Sequence, residues 1–287
     1  FRQRERQRTQ HYQLQQRISL QVLEALPQGL ADAIAAEREA FDLGCLGPDP
    51  LFFYQPLRPN AVRREGIKMH RRSALPAVER LRQAIEDGVP MSTGYGAGFL
   101  CHLALDSACH GYVDERAAEG PISHMAMEGE YDRMLMEDDG LDPCGRAHLP
   151  AAPEDGAVWQ AAARAFVHAS PGQVRQAYRA MTFLIGFLAR SCGTKRGRVI
   201  GAVSHMLPIR SAKGIALKEE PHPSAAESNA DLDRLLERAV EETAEQLGAF
   251  FRAVAAEEPV PAWFDRDFKG NPPHIPSTLR WQEAHSA

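Results

Sequence analysis

A stripe of three polar side chains in a strongly apolar segment constrains the fold of this chain more than any other feature of its sequence. His102, Asp106 and His110 recur every fourth residue, and residues 99–106 are otherwise apolar. Residues four apart stand on one face of an α-helix, about 5–6 Å from each other. Because burying such groups without partners costs several kcal/mol each, the stripe predicts a buried helix whose polar face meets matching groups.

Apolar residues recur with helical spacing along most of the chain, and alternation of strand length is scarce. The sequence therefore predicts an all-α fold, a multi-helix bundle. The expected helices cover residues 18–26, 30–39, 74–87, 94–110, 123–136, 158–190 and 231–255, with a Pro-rich loop at 44–60. Gly94, Gly96 and Gly98 are poor helix formers, which indicates that the helix with the stripe passes unusually close to a neighbour.

The candidate metal-binding residues all fall in the first half of the chain. Residues 1–150 are expected to form a helical metal-binding core. Residues 151–287 are expected to add helices that pack on the same domain, followed by an irregular tail.

The composition argues against several classes of protein. The chain has 33 Lys and Arg against 38 Asp and Glu, a net charge of −5, which gives no specific signal for a nucleic-acid partner. No apolar run reaches the roughly 18 residues of a membrane span. The charged start, residues 1–8, favours a cytoplasmic location unless a leader has been removed. The oligomeric state is left open.

The chain contains five cysteines and no CxxC pair. This pattern argues against a disulfide scaffold and against a thiolate zinc site, and it favours a reducing compartment. Cys101 and Cys109 flank the polar stripe, and we expect them to be small apolar core residues.

A second stripe, His124, Glu128 and Asp132, follows on the next expected helix. Nitrogen and carboxylate ligands without thiolates suit Zn²⁺, and a carboxylate can bridge two ions about 3.5–4 Å apart. Asp106, with a histidine on either side, is the natural bridge. Taken alone, His124 and Glu128 fit an ordinary solvated helical pair equally well. Their position after the first stripe favours a shared metal site.

The order and spacing of these residues resemble the bacterial zinc-dependent phospholipase C family. The resemblance rests on Gln10-His11-Tyr12, Gly47-Pro48-Asp49, His70, the segment 98–106 with His110, and then His124 and Glu128. It spans roughly the first half of the chain, and the second half adds only a loose likeness.

The resemblance implies an all-helical fold and two or three Zn²⁺ ions. One ion would be held by His70, His102 and Asp106, a second by His110, His124 and Glu128, and a third by His11 with Asp106 as the bridge. Asp49 would lie over the cluster as general base or water-orienting carboxylate. The chain departs from the secreted members in having no N-terminal Trp and a shorter gap before His110.

The expected activity is zinc-dependent hydrolysis of a phosphodiester, with a phospholipid or related phosphoester as substrate. Two other interpretations remain open. A single-strand nuclease or a phosphatase could use the same metal cluster, and a non-catalytic module could use the metals only to hold its helices together.

Overall fold

The computed structural model describes residues 13–144, 151–206 and 220–272, and in these ranges the fold is all-α. Eleven α-helices and two short 3₁₀ turns make up this part of the chain. The helices are α1 Gln13–Ala25, α2 Gln28–Ala36, α3 Arg38–Gly44, α4 Ala61–Met69, α5 Leu75–Glu86, α6 Ser92–Glu119, α7 His124–Asp138, α8 Gly156–Arg164, α9 Pro171–Ala189, α10 Lys195–Met206 and α11 Ala225–Ala255, and the 3₁₀ turns are Asp49–Phe53 and Ala262–Phe264.

Helix α6 is the centre of the bundle. It is 28 residues long, and it packs against α1, α2, α3, α5, α7, α8 and α11. Its crossing with α3 is close because Gly44 and Gly98 face each other. A Cβ added at Gly98 would lie 2.2 Å from the Phe41 carbonyl oxygen, and one at Gly44 would lie 2.3 Å from that of Tyr95. The central, closely packed helix expected from its glycines is therefore confirmed.

Two clusters of buried apolar side chains lie on either side of this helix. The larger cluster joins the early helices to α8, α9 and α11, and it includes Phe41, Phe99, Trp159 and Phe250. The smaller one lies between α1, α6, α7 and α11. Helices from the second half of the chain thus share a core with those of the first half.

Several helix boundaries differ from the sequence-based expectation. Helix α6 does not end at His110 but runs nine residues further, to Glu119, because no helix-breaking pair occurs before Gly120-Pro121. The single helix expected over 158–190 is two helices. Ser170 caps α9 through a capping box with Gln173, and Pro171 occupies the first turn, so a new helix begins there.

The cysteines also differ in part from the expectation. Cys45, Cys101 and Cys109 are buried free thiols. The expectation that Cys101 and Cys109 are core residues is therefore confirmed. Cys144 and Cys192, however, form a disulfide between the segment after α7 and the turn that precedes α10. The expectation of a chain without disulfides is therefore wrong for Cys144 and Cys192. The two residues are 48 positions apart, and nothing in the sequence around them indicates that they meet.

Within the described ranges, none of the helices combines the length and the hydropathy needed to span a membrane.

Candidate metal centre

Helix α6 places the first stripe of the centre. His102, Asp106 and His110 lie on successive turns of one face, and the same carboxylate oxygen of Asp106 contacts both histidines. Asp106 Oδ2 lies 3.3 Å from His102 Nε2 and 3.8 Å from His110 Nδ1. Asp106 and His102 are both buried, at 7% and 1% exposure. The carboxylate therefore lies between the two imidazoles, which is the position that a bridging ligand would require.

On one side of Asp106, three side chains from three different elements form the first ligand group. Asp49 comes from the first 3₁₀ turn, His70 from the residue that ends α4, and His102 from α6. Their ligand atoms all lie within 4.8 Å of one another, and Asp49 Oδ1 is 3.0 Å from His70 Nε2. The resemblance placed Asp106 among these ligands and Asp49 above them, whereas the structure groups Asp49 itself with the two histidines.

On the other side, His110, His124 and Glu128 form the second ligand group, again within 4.8 Å of one another. One oxygen, Glu128 Oε1, faces both imidazoles. It lies 3.1 Å from His124 Nε2 and 3.7 Å from His110 Nε2. Helices α6 and α7 thus bring their two stripes together here. Asp132, the last residue of the α7 stripe, belongs to neither group.

All four imidazoles are oriented in the same way, with Nδ1 against a fixed oxygen. The acceptors are the carbonyl oxygen of Gly66 for His70 (2.9 Å), that of Cys45 for His102 (3.1 Å), that of Asp106 for His110 (3.2 Å) and the Asp114 carboxylate for His124 (3.1 Å). Because a carbonyl oxygen and an ionised carboxylate can only accept, Nδ1 carries the proton and donates in all four rings. In a neutral ring Nε2 then holds a lone pair, and all four Nε2 atoms face the carboxylates of the centre.

The Nε2 atom of His102 is a direct test of whether a cation fits. This atom is fully buried, and its nearest partner among the described residues is Asp106 Oδ2 at 3.3 Å, which lies outside hydrogen-bond geometry. Buried polar atoms in folded proteins usually have a well-aligned partner. A cation held between His102 and the neighbouring carboxylates would provide one, so the residues present fit a bound metal.

The electrostatics of the centre reflect closely spaced carboxylates and imidazoles. Burial lowers the pKa of His102, but the charge of Asp106 outweighs it and raises the pKa to about 9. Burial likewise opposes the shift at His124, yet the hydrogen bond to Glu128 raises its pKa to about 9. At Asp106, burial is overcome by His102 and His110, and the pKa of the carboxyl falls well below its usual range. Without a metal, protons on the imidazoles supply the positive charge that the carboxylates require.

Two features of the first ligand group were not predicted. Phe268, near the end of the described chain, packs against the rings of His70 and His102, at centroid distances of 4.7 and 5.6 Å. Gly47 has a φ of +51°, and a Cβ added there would lie 2.2 Å from His102 Cδ2. Neither contact has a signal in the local sequence, because both depend on how distant elements meet.

Asp114 is a third missed residue, and its signal was present. It lies four residues after His110, so it continues the stripe of α6 by one more turn. Its Oδ1 accepts from His124 Nδ1 at 3.1 Å, and its Oδ2 accepts from Lys269. Although burial opposes it, the contact with Lys269 lowers the pKa of Asp114. Extending α6 past His110 would have been enough to find this residue.

The remaining histidines lie elsewhere or outside the described ranges. His11, the proposed ligand of a third ion, falls outside them, as do His148, His274 and His285. The side chain of His205 is likewise not described. His168 is exposed, and His222 accepts a hydrogen bond from the Ser224 backbone in a turn, so neither belongs to a ligand group.

Comparison with known proteins adds no assignment. No family model, no curated protein and no solved structure matches this chain.

Proposed function

We propose that this chain is a zinc-dependent phosphoester hydrolase with a phospholipase C-like activity on phosphodiesters. The observation that carries the proposal is the common orientation of four imidazoles, each held through Nδ1 so that Nε2 faces a carboxylate. Histidines in surface salt bridges need not share one ring orientation. Metal-binding histidines usually do share one, because a hydrogen bond from Nδ1 fixes the ring so that Nε2 can bind the metal.

The residues divide into two sets of ligands around a shared carboxylate. Asp49, His70 and His102 would hold one ion, and His110, His124 and Glu128 a second, with Asp106 between the sets. When bound, Zn²⁺ lowers the pKa of a coordinated water towards about 7 and neutralises phosphoryl oxygens.

The chain's own groups would orient the reaction. The Asp49 side chain retains 28% of its exposure, so it can accept a proton from a water or orient it beside a substrate. The rings of Phe52 and Phe268 pack against His70, and this apolar surface limits access of bulk water to His70 from those sides. The buried His102 and Asp106 are positioned by α6 and keep the arrangement rigid.

Solvent access favours catalysis over a purely structural role for the metals. Structural zinc sites are closed by four protein ligands, whereas catalytic sites keep a position open. Here each group is open to solvent on one side: the Asp49 side chain is 28% exposed in the first group, and those of His124 and Glu128 are 32% and 36% exposed in the second. A substrate can therefore reach both groups.

The test is metal analysis of the purified protein together with turnover of three substrates. These are a chromogenic phosphodiester, a monomeric short-chain phosphatidylcholine and a single-stranded oligonucleotide. We expect chelation to abolish turnover and zinc to restore it, and Asp49→Asn to lower kcat by about 10²–10⁴-fold. Asp138→Asn removes an exposed carboxylate at the end of α7 and should leave kcat unchanged.

Zinc content must be measured on each variant, because Asp49 also belongs to a ligand group. Turnover that Asp49→Asn leaves unchanged would refute the role of Asp49. If the zinc-loaded wild type turns over none of the three substrates, the chain is not a phosphoester hydrolase. Bound zinc would then serve only to hold the helices together.

A further inference from the structure

The outer face of α4 carries positive charge that leads to the metal centre. This helix buries Val62, Glu65 and Gly66. Its exposed face presents Arg64 and Lys68, which lie one turn apart. Charged side chains are usual on a helix surface, so this pair alone indicates nothing more than a solvated face.

The charge continues on both sides of the helix. We call the following exposed residues the basic strip: Arg58, Arg64, Lys68, Arg71 and Arg72. Among the residues that the structure describes, none of the five has a salt-bridge partner. Arg38, Arg82 and Arg234, by contrast, pair with acidic neighbours on their own helices. The strip is thus a local excess of positive charge on a chain whose net charge is −5.

The one acidic residue in this segment does not reduce the charge at the surface. Glu65 is 8% exposed and points inward. Its two carboxylate oxygens accept hydrogen bonds from the backbone N–H groups of Val167 and His168, at 2.6 and 2.7 Å. The fold therefore uses this carboxylate to fix the loop between α8 and α9, and the basic strip is left uncompensated.

Two exposed aliphatic side chains accompany the strip. Leu57 is 96% exposed, next to Arg58. Val167 is 65% exposed, and its backbone is bound to Glu65 on α4. The loop that carries Leu57 is held in shape, because the Asn60 amide donates to the carbonyl oxygens of Tyr54 and Arg58, both at 3.0 Å. Leucine is therefore presented to solvent by a fixed turn rather than by a frayed end.

The basic strip ends at the first ligand group. His70 lies between Lys68 and Arg71 in sequence, and its Nε2 is 3.0 Å from Asp49 Oδ1. Whatever binds the strip is consequently brought next to the residues that would carry out the reaction.

We propose that the basic strip, together with Leu57 and Val167, docks the chain onto an anionic lipid bilayer. Its charges complement acidic headgroups within a Debye length of about 8 Å, while the aliphatic tips enter the boundary between headgroups and acyl chains. A single-stranded nucleic acid is the less suitable partner, since its bases stack on exposed aromatic rings and the side chains beside the strip are aliphatic. This proposal deepens the proposed function, and it rests on that function for the step after docking.

The test separates docking from turnover. Zinc-loaded protein is sedimented with vesicles of phosphatidylcholine alone and with vesicles of equal parts phosphatidylcholine and phosphatidylserine. Turnover of the soluble chromogenic phosphodiester is measured in parallel. The charge-reversal variant Arg64→Glu/Lys68→Glu has a matched control in Lys195→Glu/Arg198→Glu, which changes the same charge at two exposed residues one turn apart on α10, neither of which has a salt-bridge partner among the described residues.

We expect wild type and control to bind only the anionic vesicles, more weakly at high salt. Each basic residue contributes roughly a fivefold change in membrane affinity, so the α4 variant should bind at least tenfold more weakly. Its turnover of the soluble substrate should equal that of wild type. Leu57→Ser should also weaken vesicle binding without changing this turnover.

Binding of a fluorescent single-stranded oligonucleotide is measured by anisotropy for the same variants. Three results would overturn the docking proposal: equal vesicle binding by the two charge-reversal variants, no preference for anionic vesicles, or an α4 variant that loses oligonucleotide binding but keeps its vesicle binding. A protein that docks as expected but has no turnover on any phosphoester would instead refute the proposed function. The two proposals therefore fail in distinguishable ways.

Discussion

Gly47 is the position at which a single methyl group should disturb the metal centre most specifically. Its φ of +51° lies in the left-handed region, where a residue with a Cβ costs roughly 1–2 kcal/mol. In addition, the new Cβ would lie 2.2 Å from His102 Cδ2 and 2.7 Å from His102 Nε2. Either the ring or the loop must move.

The ring has little room to do so. His102 is 1% exposed, and its Nδ1 is hydrogen-bonded to the Cys45 carbonyl oxygen at 3.1 Å. Overpacking a site of this kind costs about 1–3 kcal/mol. We therefore expect Gly47→Ala to lower the free energy of unfolding by about 2–5 kcal/mol, the sum of the backbone and packing terms. Because Nε2 is displaced as well, zinc should bind at least tenfold more weakly.

Gly88→Ala is the matched control. Gly88 also has a positive φ, +66°, but a Cβ there would meet nothing within 4 Å. This variant should lose only the backbone contribution and keep the zinc affinity of the wild type. Urea unfolding in chelator gives the stabilities, and calorimetric titration with zinc gives the affinities. If Gly47→Ala matches Gly88→Ala in both measurements, His102 is not held against Gly47 and the described centre is incorrect.

Three further predictions concern the surroundings of the centre. Asp114→Asn keeps the shape of the hydrogen-bond acceptor for His124 Nδ1 but removes its charge. Zinc affinity, measured by titration, should therefore fall by about 10–100-fold. A loss below twofold would show that the hydrogen bond from His124 to Asp114 does not position the ring for zinc. In metal-free protein the pKa values of His102 and His124 are raised from 6.5 to about 9. Protonation of these two residues therefore stabilises the folded state fully below pH 6.5, and this stabilisation is lost as pH rises towards 9. The melting temperature in chelator should therefore fall over this interval, less steeply in His124→Gln, while the increase caused by zinc should grow because the metal requires neutral imidazoles. Glu65→Gln leaves one of two backbone N–H groups without a carboxylate acceptor and should lower the free energy of unfolding by about 1–3 kcal/mol in urea, with unchanged zinc binding.

The helical class and the polar stripe of α6 could be predicted from the sequence because both are periodic and local. His102, Asp106 and His110 share a face in any helix, whatever surrounds it. The same reasoning would have included Asp114, had the helix not been expected to end at His110. The end of this helix is harder to predict, since apolar spacing alone does not mark where a helix stops and residues 111–119 contain no helix-breaking pair.

Contacts between distant segments could not be predicted in this way. Nothing near Cys144 or Cys192 indicates that they meet, and nothing near Phe268 indicates that it packs against His70. The inward orientation of Glu65, which leaves the basic strip uncompensated, likewise depends on a loop more than a hundred residues away.

The sequence by itself determined which side chains are available as ligands and which of them share a helical face, because a helix fixes the direction of each side chain from its position alone. Only the tertiary structure decided that Asp49 joins His70 and His102, that all four rings present Nε2 inward, and that Gly47 must lack a side chain. The physical reason is that these properties depend on distances between separate elements, and those distances are set by the packing of the whole core.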